Sequence, residues 1–168
     1  AMGVATLSMA WFAQPFFKEV GVPLLYFGIL WAGLNFSAGL TSFNAHQFDK
    51  KENNYKMLIY LSLAMFISFI LLGFNNSIYG LFFIFIIYLL RGIVTPILRN
   101  AINVNTTSNK RATVLSIRSF IIRISFAICA PILGYIAENY ALSTSFYVLA
   151  IVVGSFSLLA SLRLSSLD

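Results

Sequence analysis

Met57 to Phe74 reads MLIYLSLAMFISFILLGF, with no charged side chain and only serines to interrupt its apolar character. A water-soluble domain has nowhere to hide a run of that length and apolarity. Five similar runs share the chain with it: 1–17 (carrying Gln14 and Pro15), 24–46, 78–104, 112–137 and 144–164. The breaks between them, KEVGVP, FDKKENNYK, NNS, NTTSNKR and ENYALS, are short and polar. Inside lipid only α-helices and closed barrels satisfy the backbone. A barrel would show alternating stretches of roughly ten residues, and these runs are longer and unbroken. The expected fold is an all-α integral membrane bundle of six transmembrane helices, built as a single domain over residues 1–168.

Composition closes the soluble alternative. Hydrophobic residues make up 60% of the chain and charged residues only 10%, against roughly 25% in soluble domains. The net charge of +6 would point to nucleic acid in a soluble protein. Here the basic residues are divided between loops and apolar runs and leave no contiguous surface to track phosphates, so no nucleic-acid partner is expected. Cys129 stands alone and reads as a small packing residue. His46 has no Cys or acidic cluster beside it, so no metal site is expected. No nucleophile pairs with a histidine, no glycine loop cradles phosphate and no two carboxylates pair. The chain is expected not to be an enzyme and to need no cofactor.

Loop charge sets the expected orientation. Lys50, Lys51 and Lys56 follow the second run, Lys110 and Arg111 follow the fourth, and Arg163 closes the sixth. The other breaks hold Lys18 beside Glu19, no charge, and Glu138. This bias places the even-numbered breaks and the C-terminus in the cytoplasm. The opening AMGVATLSMAWF lacks the charged start of a signal peptide. Richness in Lys, Asn, Ile and Phe favours an AT-rich bacterial genome, and hence a bacterial inner membrane.

Four arginines lie inside these runs. Arg91 stands midway along the fourth, and Arg123 is near the middle of the fifth. Arg99 and Arg118 are closer to the cytoplasmic ends. A charge at mid-bilayer costs from about 2.5 to above 10 kcal/mol unless it faces protein or water. Arg99 and Arg118 have a simple alternative, because long side chains near a helix end snorkel to the interface. Arg91 and Arg123 do not, and are expected to line a cavity or to be buried in a pair. The acids Glu19, Asp49, Glu52, Glu138 and Asp168 all sit in loops, at edges or in the tail. The counter-charge must therefore come from outside these residues, from backbone carbonyls or from a bound anion.

Weaker signals surround the arginines. Asn35, Gly39, Ser42 and His46 fall on one side of the second run at helical spacing, more often a packing face than a binding site. Gly28, Ala32, Gly33 and Ser37 suggest small-residue helix contacts. Pro96 and Pro131 predict kinks in the fourth and fifth helices. Trp11 and Trp31 would suit an aromatic solute, or ordinary packing.

The stretch RGIVTPILRNAINVNTTSNKRATVLSIRSFIIRISFAICAPILGYIAE, 91–138, carries an IN pair at Ile102 and Asn103, RATVLS at 111–116 and PILGYIAE at 131–138. It resembles helices ten and eleven of the major facilitator superfamily. WFAQPFFKEVGVPLLYFGILWAGLNFSAGL looks like the end of helix seven, an external loop and helix eight. AHQFDKK, 45–51, looks like a degenerate copy of the basic loop between helices eight and nine, without its usual Gly and Arg pattern. The resemblance implies the C-terminal half, helices seven to twelve, of a twelve-helix transporter. Its partners would then be the bilayer, a small-molecule substrate and the missing N-terminal half. It implies secondary active or facilitative transport by alternating access, with an anionic metabolite met by the mid-membrane arginines. Arg91, Arg123, Asn35, Gln14 and Trp11 become the substrate-binding candidates, and Arg99, Arg118, Asn103, Arg111 and Asp49 the cytoplasmic polar or gating set. A multidrug-type exporter and a non-transporting scaffold or assembly protein are the alternatives.

Overall fold

The computed structural model describes residues 1–45 and 54–165, with side chains over 1–45 and 56–159. The chain is helical almost throughout: α1 Met2–Glu19, a short 3-10 turn Leu24–Tyr26, α2 Phe27–Asn44, α3 Asn54–Phe74, α4 Gly80–Val104, α5 Ser108–Asn139 and α6 Leu142–Ser165. Among the described residues, five stretches are long and apolar enough to cross a membrane: the one ending α2, and those of α3, α4, α5 and α6. The protein is thus consistent with a multi-pass membrane protein. α5 begins at Ser108, earlier than the apolar run, because Ser108 to Arg111 complete its first turn outside the apolar zone.

The end of α1 shows how local sequence stops a helix. The Val22 N–H donates to the Phe17 carbonyl at 2.9 Å, and the Gly21 N–H to that of Lys18 at 3.2 Å. This is a Schellman closure, which requires a left-handed residue. Gly21 supplies it with φ 76°. Val22 packs back onto the core, and Pro23 prevents the helix from resuming.

α1 packs against α4, α5 and α6. Its inward face is Ala5, Met9, Ala13, Phe16 and Phe17, all fully buried. Phe146 of α6 meets Phe12 and Phe16 edge-on at 6.5 and 6.0 Å, a favourable aromatic arrangement. The buried Ser145 hydroxyl donates to the Leu133 carbonyl at 2.8 Å and ties α6 to α5. α3 and α6 lie together through small-to-large contacts, Gly73 against Tyr147 and Gly154 against Phe66. At one end of the bundle the Asn76 amide donates to the Glu19 carboxylate at 2.7 Å.

Burial is uneven in an informative way. Within their apolar spans α3, α4 and α6 are 33–39% buried, whereas α2 and α5 are only 6% buried. Of these two helices α2 carries Asn35, Thr41 and Ser42, and α5 carries Arg118 and Arg123.

Two sequence expectations need correction. Gly28 and Gly39 face open space, and Ala32, Asn35 and Ser42 are exposed. Neither stripe on α2 is a packing seam of this bundle, beyond Gly33, which meets Phe85. The α2–α4 seam is made by Ala38 and Thr41 against Gly92. Helical spacing finds a stripe of small residues but not the neighbour it needs. α4 and α5 are each one continuous helix across Pro96 and Pro131.

Candidate functional site

Arg91 is half-buried on α4, and its guanidinium sits over the ring of Tyr88, one turn earlier, at 5.4 Å from the centroid. That is cation–π range. Tyr88 is fully buried and meets Trp31 of α2 edge-on at 6.2 Å. Asn35, one turn beyond Trp31, donates from Nδ2 to the Trp31 carbonyl at 2.9 Å. Arg91, Tyr88, Trp31 and Asn35 therefore form a continuous row across the α2–α4 pair. Further along the pair the Thr41 hydroxyl has the Leu89 carbonyl of α4 within donating distance at 3.0 Å, beside the Ser37 and Ala38 carbonyls of its own helix at 3.1 and 3.2 Å.

The row has unmet hydrogen-bonding capacity. Trp31 Nε1 is buried without a hydrogen-bond partner, and the Tyr88 hydroxyl is buried with only the Arg91 guanidinium near it. A buried polar atom left unpaired costs about 1–3 kcal/mol, so the indole N–H calls for an explanation. An indole N–H can only donate. The chemistry suited to the row is an acceptor-rich or anionic group.

Arg123 belongs to a second cluster. It is exposed on α5, and no hydrogen bond or ion pair holds it among the described residues. Phe126, one turn on, stacks against Trp11 of α1 at 6.0 Å and 28°. Trp11 is still 67% exposed, so the stack covers one face of the indole and leaves the other open. Gln14, one turn after Trp11, is exposed as well. Trp11, Phe12, Pro15, Phe126 and Ala130 line a shallow depression of about 310 Å³. Trp11, Gln14 and Arg123 are thus brought to the α1–α5 side, and Arg91 and Asn35 to the α2–α4 side.

The expected gating set separates into parts. The Arg111 guanidinium donates to the Asn103 backbone carbonyl at 3.0 Å. This bond caps the C-terminal turn of α4, where a cation also meets the negative end of the helix dipole. The Asn103 side-chain Oδ1 is buried and unpartnered. Arg99 is exposed on α4 and Arg118 half-buried on α5, two helices in contact. Asp49 and His46 lie outside the described residues. Glu19 and Glu138, the acidic side chains that are described, sit at the far helix ends. Neither approaches the arginines at mid-helix.

Sequence analysis does not single out Tyr88 or Phe126. The signal for both is an aromatic residue three positions from an arginine on the same helix, a spacing that places the two side chains together.

The chain matches no protein-family model, no curated protein and no solved structure.

Proposed function

We propose that this chain is one six-helix half of a small-solute transporter of the major facilitator type. In this reading it works by alternating access against a second half, with Arg91 and Arg123 on the solute path. The observation that carries the proposal is the near-complete lack of cover on α2 and α5. If those faces met lipid, the exposed Arg123 would bear the full cost of a mid-bilayer charge. A second helical body with a water-filled seam between the two removes that cost. The donor-rich row at Arg91, Tyr88 and Trp31 supports an anionic solute. By the resemblance, α1, α2, α4 and α5 stand for helices seven, eight, ten and eleven, which face the cavity in that family. The proposed setting is a bacterial inner membrane with a cytoplasmic C-terminus, from the lysine and arginine bias of the loops.

The test is aqueous access at mid-helix. In the full-length protein with Cys129→Ser as background, single substitutions Arg123→Cys, Asn35→Cys and Ile151→Cys are exposed to a charged, membrane-impermeant thiosulfonate. Ile151 is an exposed residue of α6 and serves as the lipid-facing control. Positions 123 and 35 are expected to react at least tenfold faster than 151. Rates at 123 and 35 as slow as at 151 would refute a water path and favour the scaffold alternative.

A further inference from the structure

Among the described residues five tyrosines are exposed, and four of them, Tyr26, Tyr79, Tyr135 and Tyr140, stand toward one end of the bundle, with Tyr60 toward the other. Every connection at the first end supplies one. Tyr26 directly precedes α2, Tyr79 directly precedes α4, and Tyr140 stands between α5 and α6. Contacts with one turn of α1 bring these helix ends to a common level. Phe17 meets Phe27 at 5.4 Å, Phe16 meets Phe146 at 6.0 Å, and Gly80 lies against the Phe16 ring. Tyr26 and Tyr79 are adjacent in sequence to residues of this level. Tyr140 is two turns at most from Phe146, or roughly 9 Å along the axis.

Large apolar side chains accompany the tyrosines. Leu24 and Leu25, on the 3-10 turn before α2, are 79% and 82% exposed, and Phe74 and Ile78 are exposed beside the α3–α4 connection. Exposed apolar groups gathered in this way mark an interaction surface. Charge is not its attraction. The charged side chains described at this end are one cation, Lys18, and two anions, Glu19 and Glu138, whereas Lys110 and Arg111 stand at the other end. No protein group meets the four tyrosine hydroxyls among the described residues. The tyrosines also belong to two helix pairs, α2–α4 and α5–α6, so a protein partner on one side would not cover them all. An apolar ring with a polar tip suits a boundary that is dry on one side and wet on the other.

We infer that this end is a tyrosine anchor for phospholipid headgroups. The rings of Tyr26, Tyr79 and Tyr140 lie at the boundary between headgroups and acyl chains. Their hydroxyls donate to phosphate and ester oxygens, and Leu24 and Leu25 reach the top of the acyl layer. Such anchors fix the depth and tilt of transmembrane helices. The inference needs the bilayer but not the transport reading.

Spin-label depth in the full-length protein, reconstituted in bilayers, tests this. Nitroxides are placed beside the tyrosines with Leu25→Cys, Ile78→Cys and Asn139→Cys, one at a time, in a background without other cysteines. Depth is read from accessibility to oxygen, which partitions into acyl chains, against accessibility to a water-soluble nickel chelate. All three labels are expected to meet both reagents and to lie within about 10 Å of one another in depth, at the headgroup boundary. The depth should be the same in phosphatidylcholine with and without phosphatidylglycerol. Combined Tyr26→Ser, Tyr79→Ser and Tyr140→Ser should change the ratio of the two accessibilities at position 78 about twofold, and Trp at the same three positions should restore it. Labels shielded from both reagents would put protein at this surface, and labels open to the chelate alone would put it in water; either result overturns the anchor. A depth that follows anionic lipid content, or a ratio unmoved by the three serines, overturns it as well.

Discussion

Gly92 of α4 lies so close to the backbone of Ala38 in α2 that no Cβ fits between them; Thr41 Oγ1 closes the same gap. This is the small-residue approach by which membrane helices gain packing and interhelical bonds. Gly92→Ala should push the helices apart and cost about 1–3 kcal/mol. Gly39→Ala, on the open side of α2, should change stability by less than about 0.5 kcal/mol. Thermal unfolding in one detergent compares the two directly. Equal effects would contradict the seam.

Gly21 makes a different prediction because its constraint is torsional. Nothing lies within 4 Å of the position where its Cβ would be, so space is not limiting. Its φ is 76°, and an L-residue in that region costs about 1 kcal/mol or more. Gly21→Val should destabilise the protein by at least that amount and speed hydrogen exchange at the Val22 amide. An unchanged exchange rate would show that the closure does not limit local opening.

Tyr88→Phe separates folding from solute recognition. The hydroxyl is buried with only the Arg91 guanidinium as a polar neighbour, so its removal should change stability by no more than about 1 kcal/mol. The ring contact with Arg91 survives the change. If the hydroxyl meets the solute, uptake by the full-length protein should fall at least tenfold while stability does not. Unaltered uptake would exclude the hydroxyl from recognition.

Much of the helical plan is legible in the sequence, since apolar length is a direct consequence of backbone chemistry in lipid. Boundaries drift where that logic ends. Ser108 to Arg111 are helical but polar, so hydropathy cannot detect them. The 3-10 turn at Leu24–Tyr26 is apolar, so hydropathy merges it with α2. The arginines stand out because charge is rare inside apolar runs. Their surroundings do not: that Tyr88 meets Trp31 rather than another ring depends on which helices become neighbours. The same blindness hides the contact at Gly92: near Pro96 it reads as a point of pliability, and only Ala38 placed against it shows a close helix approach. Arg111 reads as a loop cation, and only its bond to the Asn103 carbonyl shows it closing a helix.

The Thr41–Leu89 bond joins residues 48 positions apart. At synthesis rates of about 5–20 residues per second, the chain needs roughly 2–10 s to deliver α4 after α2 has emerged. During that interval α2 must stay in the bilayer without the helix it later leans on. It is also the least apolar of the five spans, with a mean hydropathy of 1.3. The segment with the weakest hold on lipid thus waits for its neighbour during biogenesis, which makes α2 the helix most dependent on the insertion machinery to retain it.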